Sequence, residues 1–354
     1  MLDMIPYCCR HVVINVSNTT LTMLTELVEN SSVLLVIGRL TIIWLLLEFL
    51  FNLYMYYNVY FTNSSIDHRS LGKWAVITGA TDGIGKGIAQ ELAIRGHDIV
   101  LVSRNPKKLE TVANEFHSKY GVETKCIALD FTKCDIKSDG DCVSVYDVLE
   151  KELQGLEIGV LVNNVGMAAK IPEPFLNNLW RYGETFSDNI VNCNVTSMSK
   201  VTEVVLPGMV SRNKGVVINI SSGLSSVIFP GMTLYSSSKR FNDTLPIALS
   251  HEYENKGIIV QSIQPGMVST NMTRVVTQNK SSLTVPSPAK FASNLMSSIG
   301  KARMTRGYWI HAIQMSALSS IPSAIFSRAV KLIGHKMTNT ALRRSIGLHP
   351  KNSH

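Results

Sequence analysis

Residues Thr78–Ala93 read TGATDGIGKGIAQELA, and the fold follows from what stands on either side of them. Ahead lies WAVIT (Trp74–Thr78), a short apolar run of strand character; behind, Ile84–Arg95 repeats its apolar residues at helical spacing. The stretch is therefore a strand-to-helix turn. Gly79, Gly83 and Gly85 permit a tight turn and let a ligand approach the main chain, while the N-terminus of the next helix favours negative charge. A pyrophosphate is the group such a turn accommodates. The junction of strand and helix distinguishes it from an ordinary glycine-rich loop.

Outward from the turn, the pattern repeats. DIVLVS (98–103), TKCIALD (124–130), IGVLVNN (158–164), GVVINIS (215–221) and GIIVQSIQP (257–265) read as five further strands. Helices are expected near Lys107–Tyr120, Val143–Leu153, Asp188–Met209 and Tyr235–Lys256. This alternation predicts an α/β, Rossmann-type doubly wound parallel sheet, covered on both faces and binding ligands at the carboxyl ends of its strands. The second strand ends in Ser103 and Arg104, where a dinucleotide site preferring a ribose 2′-hydroxyl would carry an acid; an arginine there suits a 2′-phosphate, hence NADP(H). Asp130 closes the third strand, as an adenine contact or a helix cap. Gly266–Pro288, rich in Ser, Thr and Pro, reads as a lid.

The 354 residues are 45% hydrophobic and 17% charged, which excludes a disordered chain. None of the six cysteines forms a C-x-x-C pair and no histidines take ligand spacing, so neither a disulfide framework nor a metal site is expected. The net charge of +8 is uneven, because no acid follows Glu254. A basic C-terminal region suits a solvated face, anionic lipid or a polyanionic substrate, and no nucleic-acid motif accompanies it. Residues 33–60, VLLVIGRLTIIWLLLEFLFNLYMYYNVY, are long enough to span a bilayer; Arg39 and Glu48 interrupt the run, and Tyr54, Tyr56, Tyr57 and Tyr60 form an interfacial belt. The chain thus divides into a polar segment (1–32), a transmembrane anchor (33–60), a Rossmann-type domain (70–305) and a membrane-proximal basic extension (306–354) whose apolar stretch Tyr308–Gly334 is broken at Pro322 into a helix pair. Sequons begin at Asn15, Asn18 and Asn30, which suits a lumenal N-terminus.

Tyr235 and Lys239 stand four apart on one helical face, so that they can share a site. With TGxxxGxG, NNVG (Asn163–Gly166), Asn194, Ser222 thirteen residues before Tyr235, and QPGMVST (Gln264–Thr270), the order of motifs resembles the short-chain dehydrogenase/reductase family from Lys73 to about Lys301. LGKWAVITGATDGIGK, LVSRNPKKL and RGYWIHAIQ resemble its membrane-bound branch of 17β-hydroxysteroid dehydrogenases and very-long-chain 3-oxoacyl-CoA reductases, and equally the hydroxysteroid dehydrogenase-like proteins. The resemblance implies catalytic roles for Asn194, Ser222, Tyr235 and Lys239. It also implies NADPH/NADP contacts from Gly79, Thr81, Asp82, Gly83, Ile84, Gly85, Ser103, Arg104, Asp130, Asn163, Asn164, Gly166, Tyr235, Lys239, Pro265, Gly266, Val268 and Thr270. The expected partners are a lipophilic ketone (an acyl-CoA or a steroid) and membrane lipid, with a homo-oligomer as an option and the endoplasmic reticulum, or alternatively the mitochondrion, as location. Some of Lys280, Lys290, Lys301, Arg303 and Arg306 are expected to supply a basic rim for coenzyme A phosphates. A cofactor-binding membrane protein without turnover is the alternative reading.

Overall fold

The computed structural model describes Glu26 and residues 31–63, 66–133, 135–138, 141–170 and 172–332. The rest of the 1–32 segment, the three sequons, Cys8, Cys9, Cys134 and everything after residue 332 lie outside the described residues. The chain divides into two compact units between Asn58 and Val59. The first contains most of helix α1 (Ser31–Phe61), in which Val33–Phe61 has a mean hydropathy of 2.3 and none of its most apolar window is buried. At about 1.5 Å per residue this helix is longer than the roughly 30 Å hydrocarbon layer. A 31-residue helix exposing leucine, isoleucine and tryptophan all round is a candidate membrane anchor.

In the second unit seven parallel strands run in the order β3-β2-β1-β6-β7-β8-β9. They are β1 (Trp74–Thr78), β2 (Asp98–Ser103), β3 (Thr124–Ala128), β6 (Ile158–Asn163), β7 (Gly215–Ile220), β8 (Ile258–Ile263) and β9 (Met304–Thr305). The order reverses between β1 and β6, and the groove outside their carboxyl ends is where such sheets take ligands. Alternation sets the two cores: Ala75 and Ile77 point into one with Ile88, Leu92, Phe116, Phe291 and Leu295, while Val76 points into the other with Val100, Leu149, Val201 and Val205.

The covering helices are α2 (His68–Leu71), α3 (Gly83–Ile94), α4 (Pro106–Tyr120), α5 (Val145–Leu153), α6 (Phe175–Tyr182), α7 (Phe186–Val191), α8 (Ser197–Arg212), α9 (Thr233–Tyr253), α10 (Arg274–Thr277), α11 (Pro288–Ser298) and α12 (Trp309–Ser319). Local chemistry fixes several ends. In α4, Asn105 accepts from Lys108 N, Pro106 opens the first turn, and Gly121 closes the helix at φ 67°.

Four elements depart from the sequence expectation. An antiparallel hairpin, β4 (Asp135–Ser138) with β5 (Asp141–Ser144), precedes α5, where helix was expected from Val143. The helix expected over Asp188–Met209 is instead α7, a π-helical turn (Asn192–Thr196) and α8, since the turn inserts a residue that apolar periodicity cannot register. β9 is only two residues long and leaves no periodic signal. The lid segment holds α10 and is tied back by Ser269 N to Pro286 O (3.0 Å) and by Tyr308 Oη to Leu283 O (3.2 Å). The expected break at Pro322 is present, with α12 before it and residues 323–332 helical after it.

Candidate active site

The glycine-rich turn leaves β1 with Gly79 at φ 66° and Gly83 at φ 55°, conformations side chains disfavour. A Cβ on Gly79 would stand 2.9 Å from Asn164 Nδ2, and one on Gly85 would collide with that atom and the Gly79 carbonyl oxygen. Asn164 is the staple: its Nδ2 donates to Thr78 O (2.9 Å) and Gly79 O (3.3 Å), and its N–H donates to Thr78 Oγ1 (3.0 Å). Asp82 caps α3 from Gly83 N (2.7 Å) and accepts a second bond from Asn271 Nδ2 (2.5 Å), and the Thr270 methyl would lie 3.1 Å from a Cβ on Gly83. The segment after β8 therefore crosses the turn. Ile84 packs on the core behind it. A turn with no room for Cβ atoms at a helix N-terminus fits a pyrophosphate. At the edge, Thr81 Oγ1 bonds Ser103 Oγ (3.0 Å), and Arg104 is exposed with no ion pair among the described residues. Asp130 makes an Asx turn, accepting from Thr132 N (3.1 Å) and Thr132 Oγ1 (2.8 Å); it caps no helix. The Asn163 amide points into the sheet, donating to Thr202 Oγ1 (2.9 Å) and Asn219 Oδ1 (2.8 Å).

Ser222, Tyr235, Lys239 and Asn194 gather beyond β6 and β7. Ser222 follows β7, its Oγ accepting from Leu224 N (3.2 Å) and lying near enough to the Tyr235 phenol to act on its titration. Burial pushes that phenol's pKa up, and Ser222 opposes the rise. Lys239 is 3% exposed, donates to Ile220 O (2.8 Å) and holds its Nζ 5.9 Å from the centre of the Tyr235 ring. Desolvation pulls the ammonium down to about 8, against Cys193 and Asp243, which raise it. Both amide groups of Asn194 are engaged: Oδ1 accepts from Met167 N (2.7 Å), and Nδ2 donates to Met167 O (2.9 Å) and Ser238 Oγ (2.9 Å). Its side chain thus fixes the strand β6 exit against α9, with its two N–H groups already spent. Gly166 lies in the same crowd, where a Cβ would come 3.2 Å from Lys239 Nζ and 3.4 Å from Asn194 Oδ1.

Residues 73–281 match the short chain dehydrogenase family. The chain belongs to that family. It is 41% identical to the very-long-chain 3-oxoacyl-CoA reductase of Rattus norvegicus, over 87% of this chain and 95% of the relative. A 7β-hydroxysteroid dehydrogenase structure superposes with a TM-score of 0.64 at 22% identity, covering 75% of this chain and 100% of its own. A short-chain dehydrogenase from Sphingobium yanoikuyae in complex with NADPH superposes with a TM-score of 0.56 at 25% identity, covering 71% and 96%. This short-chain dehydrogenase is an oxidoreductase acting on CH–OH groups, and its cofactor is a nicotinamide dinucleotide.

A small apolar cavity opens beside Tyr235, lined by Ala169, Phe175, Phe186, Ile190, Met232 and Leu234. The expected basic rim is largely absent. Arg303 pairs with Glu254 (2.5 Å), Lys301 donates to Thr62 O (2.6 Å), and Arg306 turns inward to Gln264 Oε1 and Ser226 Oγ. Only Lys280 and Lys290 of the five are exposed without an ion pair among the described residues. A count of charges along the sequence cannot distinguish a cation facing solvent from one spent inside the fold.

Sequence reasoning missed His311. The segment after β8 depends on it: Gly266 N donates to His311 Nδ1 (3.1 Å), so Nε2 carries the proton and donates to Met267 O (3.1 Å). A Cβ on Gly266 would lie 2.8 Å from the ring, Pro265 O accepts from Gly223 N (2.7 Å), and Val268 is 2% exposed. Full burial pulls the imidazole down to about 4. An unfolded histidine titrates near 6.5. Between those values the unfolded chain takes a proton that the folded chain refuses, so stability is complete above the upper value and falls as pH drops towards the lower. The expected result is a larger loss of Tm from neutral pH to about pH 4.5 in wild type than in His311→Gln, compared by thermal unfolding; equal losses would contradict it.

Proposed function

We propose that the chain is an NADPH-dependent reductase of long-chain 3-oxoacyl-CoA, anchored in the endoplasmic reticulum membrane with its catalytic unit cytosolic. The observation that carries this is the gathering of Ser222, Tyr235, Lys239 and Asn194 in a chain that matches a 3-oxoacyl-CoA reductase across 95% of that relative's length. The glycine-rich turn, Thr81, Ser103, Arg104, Asp130, Asn164–Gly166 and Pro265–Thr270 would hold the dinucleotide, which supplies a hydride when bound, while Asn163, its amide spent inside the sheet, would support them from behind. Tyr235 gives its proton to the ketone oxygen as that oxygen gains negative charge. Its raised pKa keeps it protonated beforehand; the Ser222 hydroxyl donates to the same oxygen and polarises it. The Lys239 ammonium stabilises the phenolate left behind. Asn194 keeps the β6 exit and α9 in register, so that Lys239 stays beside Tyr235.

With Lys301, Arg303 and Arg306 engaged elsewhere, preference for an acyl-CoA rests on the relatives rather than on charge. Purified protein in detergent is expected to reduce long-chain 3-oxoacyl-CoA faster with NADPH than with NADH. Arg104→Ala should remove about ten- to a hundredfold of that cofactor preference, the worth of one charge-assisted contact. Preference for 17-ketosteroids would defeat the substrate reading, and equal use of both cofactors the Arg104 reading. In sealed microsomes protease is expected to reach the catalytic unit. Full protection, or release by alkaline carbonate, would refute the topology or the anchor respectively.

A further inference from the structure

The stripe that α9 turns inward is polar: Ser238, Lys239, Asn242 and Asp243 are all buried. A helix packed on a sheet ordinarily buries apolar side chains, so each member needs a reason. Ser238 serves Asn194, and Lys239 belongs to the site. Asp243 is 3% exposed, and no cation lies within ion-pair distance of its carboxylate among the described residues. Its oxygens are held by neutral donors: Ser262 Oγ donates to Oδ1 (2.7 Å) and Gln264 Nε2 to Oδ2 (2.6 Å). Accepting at both oxygens is the pattern of an ionised carboxylate. A buried charge is costly unless something compensates it.

Two cations flank it at longer range. Lys239 lies one turn earlier on the same face of α9, and Arg306, from the loop between β9 and α12, reaches the pair through Gln264 Oε1 and Ser226 Oγ. The other groups facing Lys239 are the Tyr235 phenol, the Ile220 carbonyl and the Cys193 thiol of the π turn, with Asp130 and Arg104 behind that thiol. Burial pushes Cys193 up to about 11, so it is uncharged at neutral pH. Asp243 is then the standing anion beside Lys239.

We propose that Asp243 is a positioning residue for ketone reduction: its carboxylate holds Lys239 as the ammonium, and the Gln264–Arg306 arm sets how much of that charge Lys239 feels. The inference rests on Tyr235 and Lys239 being the reacting pair. Desolvation lowers both Lys239 and Arg306, and Asp243 opposes it at each. A buried negative charge one turn away on the same helix face favours the charged form of Lys239, so removing it tips Lys239 towards the neutral amine.

The test uses full-length protein in detergent and three variants. Asp243→Asn removes the charge. Asp243→Asn with Gln264→Glu restores a donor–acceptor pair, because the new carboxylate accepts from the amide introduced at position 243 and from Arg306, but it carries the charge away from Lys239. Arg306→Gln removes the competing cation. The Lys239 Cε resonance, followed by NMR in lysine-labelled protein, needs no substrate. It is expected to titrate about one unit lower than wild type in the single and double Asp243 variants and higher in Arg306→Gln, with the basic limb of kcat/KM moving the same way. The double variant should regain the Tm that Asp243→Asn loses. An unshifted Lys239 in Asp243→Asn, or a double variant that regains the wild-type titration along with its Tm, would overturn the proposal in favour of a purely structural network. If Asp243→Asn does not fold, the double variant and Arg306→Gln decide by the opposite signs of their shifts. A shifted Lys239 in a protein that reduces no 3-oxoacyl-CoA would count against the substrate reading alone.

Discussion

Tyr235→Phe is expected to lower kcat for ketone reduction by about 10²- to 10⁴-fold, the usual worth of a positioned general acid. The change removes one oxygen from a ring carried on α9, whose backbone it leaves untouched, so the fold and dinucleotide affinity should stay near wild type. Only the proton goes missing. Without it the ketone oxygen gains charge with the Ser222 hydroxyl as its remaining donor, and KM should change far less than kcat, because the phenol acts mainly in the transition state. Steady-state kinetics together with direct NADPH titration separate the two effects. A variant retaining more than about a tenth of wild-type kcat would place the proton donor elsewhere.

Gly85→Ala carries the second large effect, on binding rather than chemistry. The added methyl meets Asn164 Nδ2 and the Gly79 carbonyl oxygen together. Asn164 cannot simply swing aside, since its Nδ2 holds Thr78 O and Gly79 O and thereby the shape of the turn. Overpacking of this kind costs about 1–3 kcal/mol. Here it falls on the main chain that would cradle the pyrophosphate, so NADPH affinity should drop by roughly ten- to a hundredfold and Tm should fall as well. Gly208→Ala is the control: it sits inside α8, where an added Cβ would meet only the flexible Arg212 side chain of the same helix at 3.6 Å, and it should bind NADPH as wild type does. Calorimetric titration of the three proteins checks this, and wild-type affinity in Gly85→Ala would remove the turn from the cofactor site.

Much of this was legible in the chain because the signals are local. Trp74–Thr78, the glycines after it and the helical periodicity that follows are contiguous in sequence, so one strand–turn–helix unit announces itself and the alternation extends it to a parallel sheet. Tyr235 and Lys239 are legible for the same reason, being four residues apart on one helix. The apolar run that forms α1 needs only composition and length. The hairpin Asp135–Ser144 and the two-residue β9 are too short for periodicity to separate from loop, and the π turn at Asn192–Thr196 shifts a helix by one residue without changing its composition.

Contiguous stretches were thus enough to specify the α/β sheet, the glycine-rich turn, the Tyr235–Lys239 face and the long apolar helix, because each depends on residues within a few turns of one another. Which polar groups are spent and which remain to act was settled by packing in three dimensions. It brought His311 to Gly266 across 45 residues, Gln264 to Asp243 across 21, and Arg306 to Gln264 across 42. It also turned Arg306 from an expected surface cation into the partner of a buried carboxamide, and gave both N–H groups of Asn194 to Met167 and Ser238. Hydrogen-bond satisfaction and desolvation depend on what surrounds a group in space, and sequence separation sets no limit on which groups meet there.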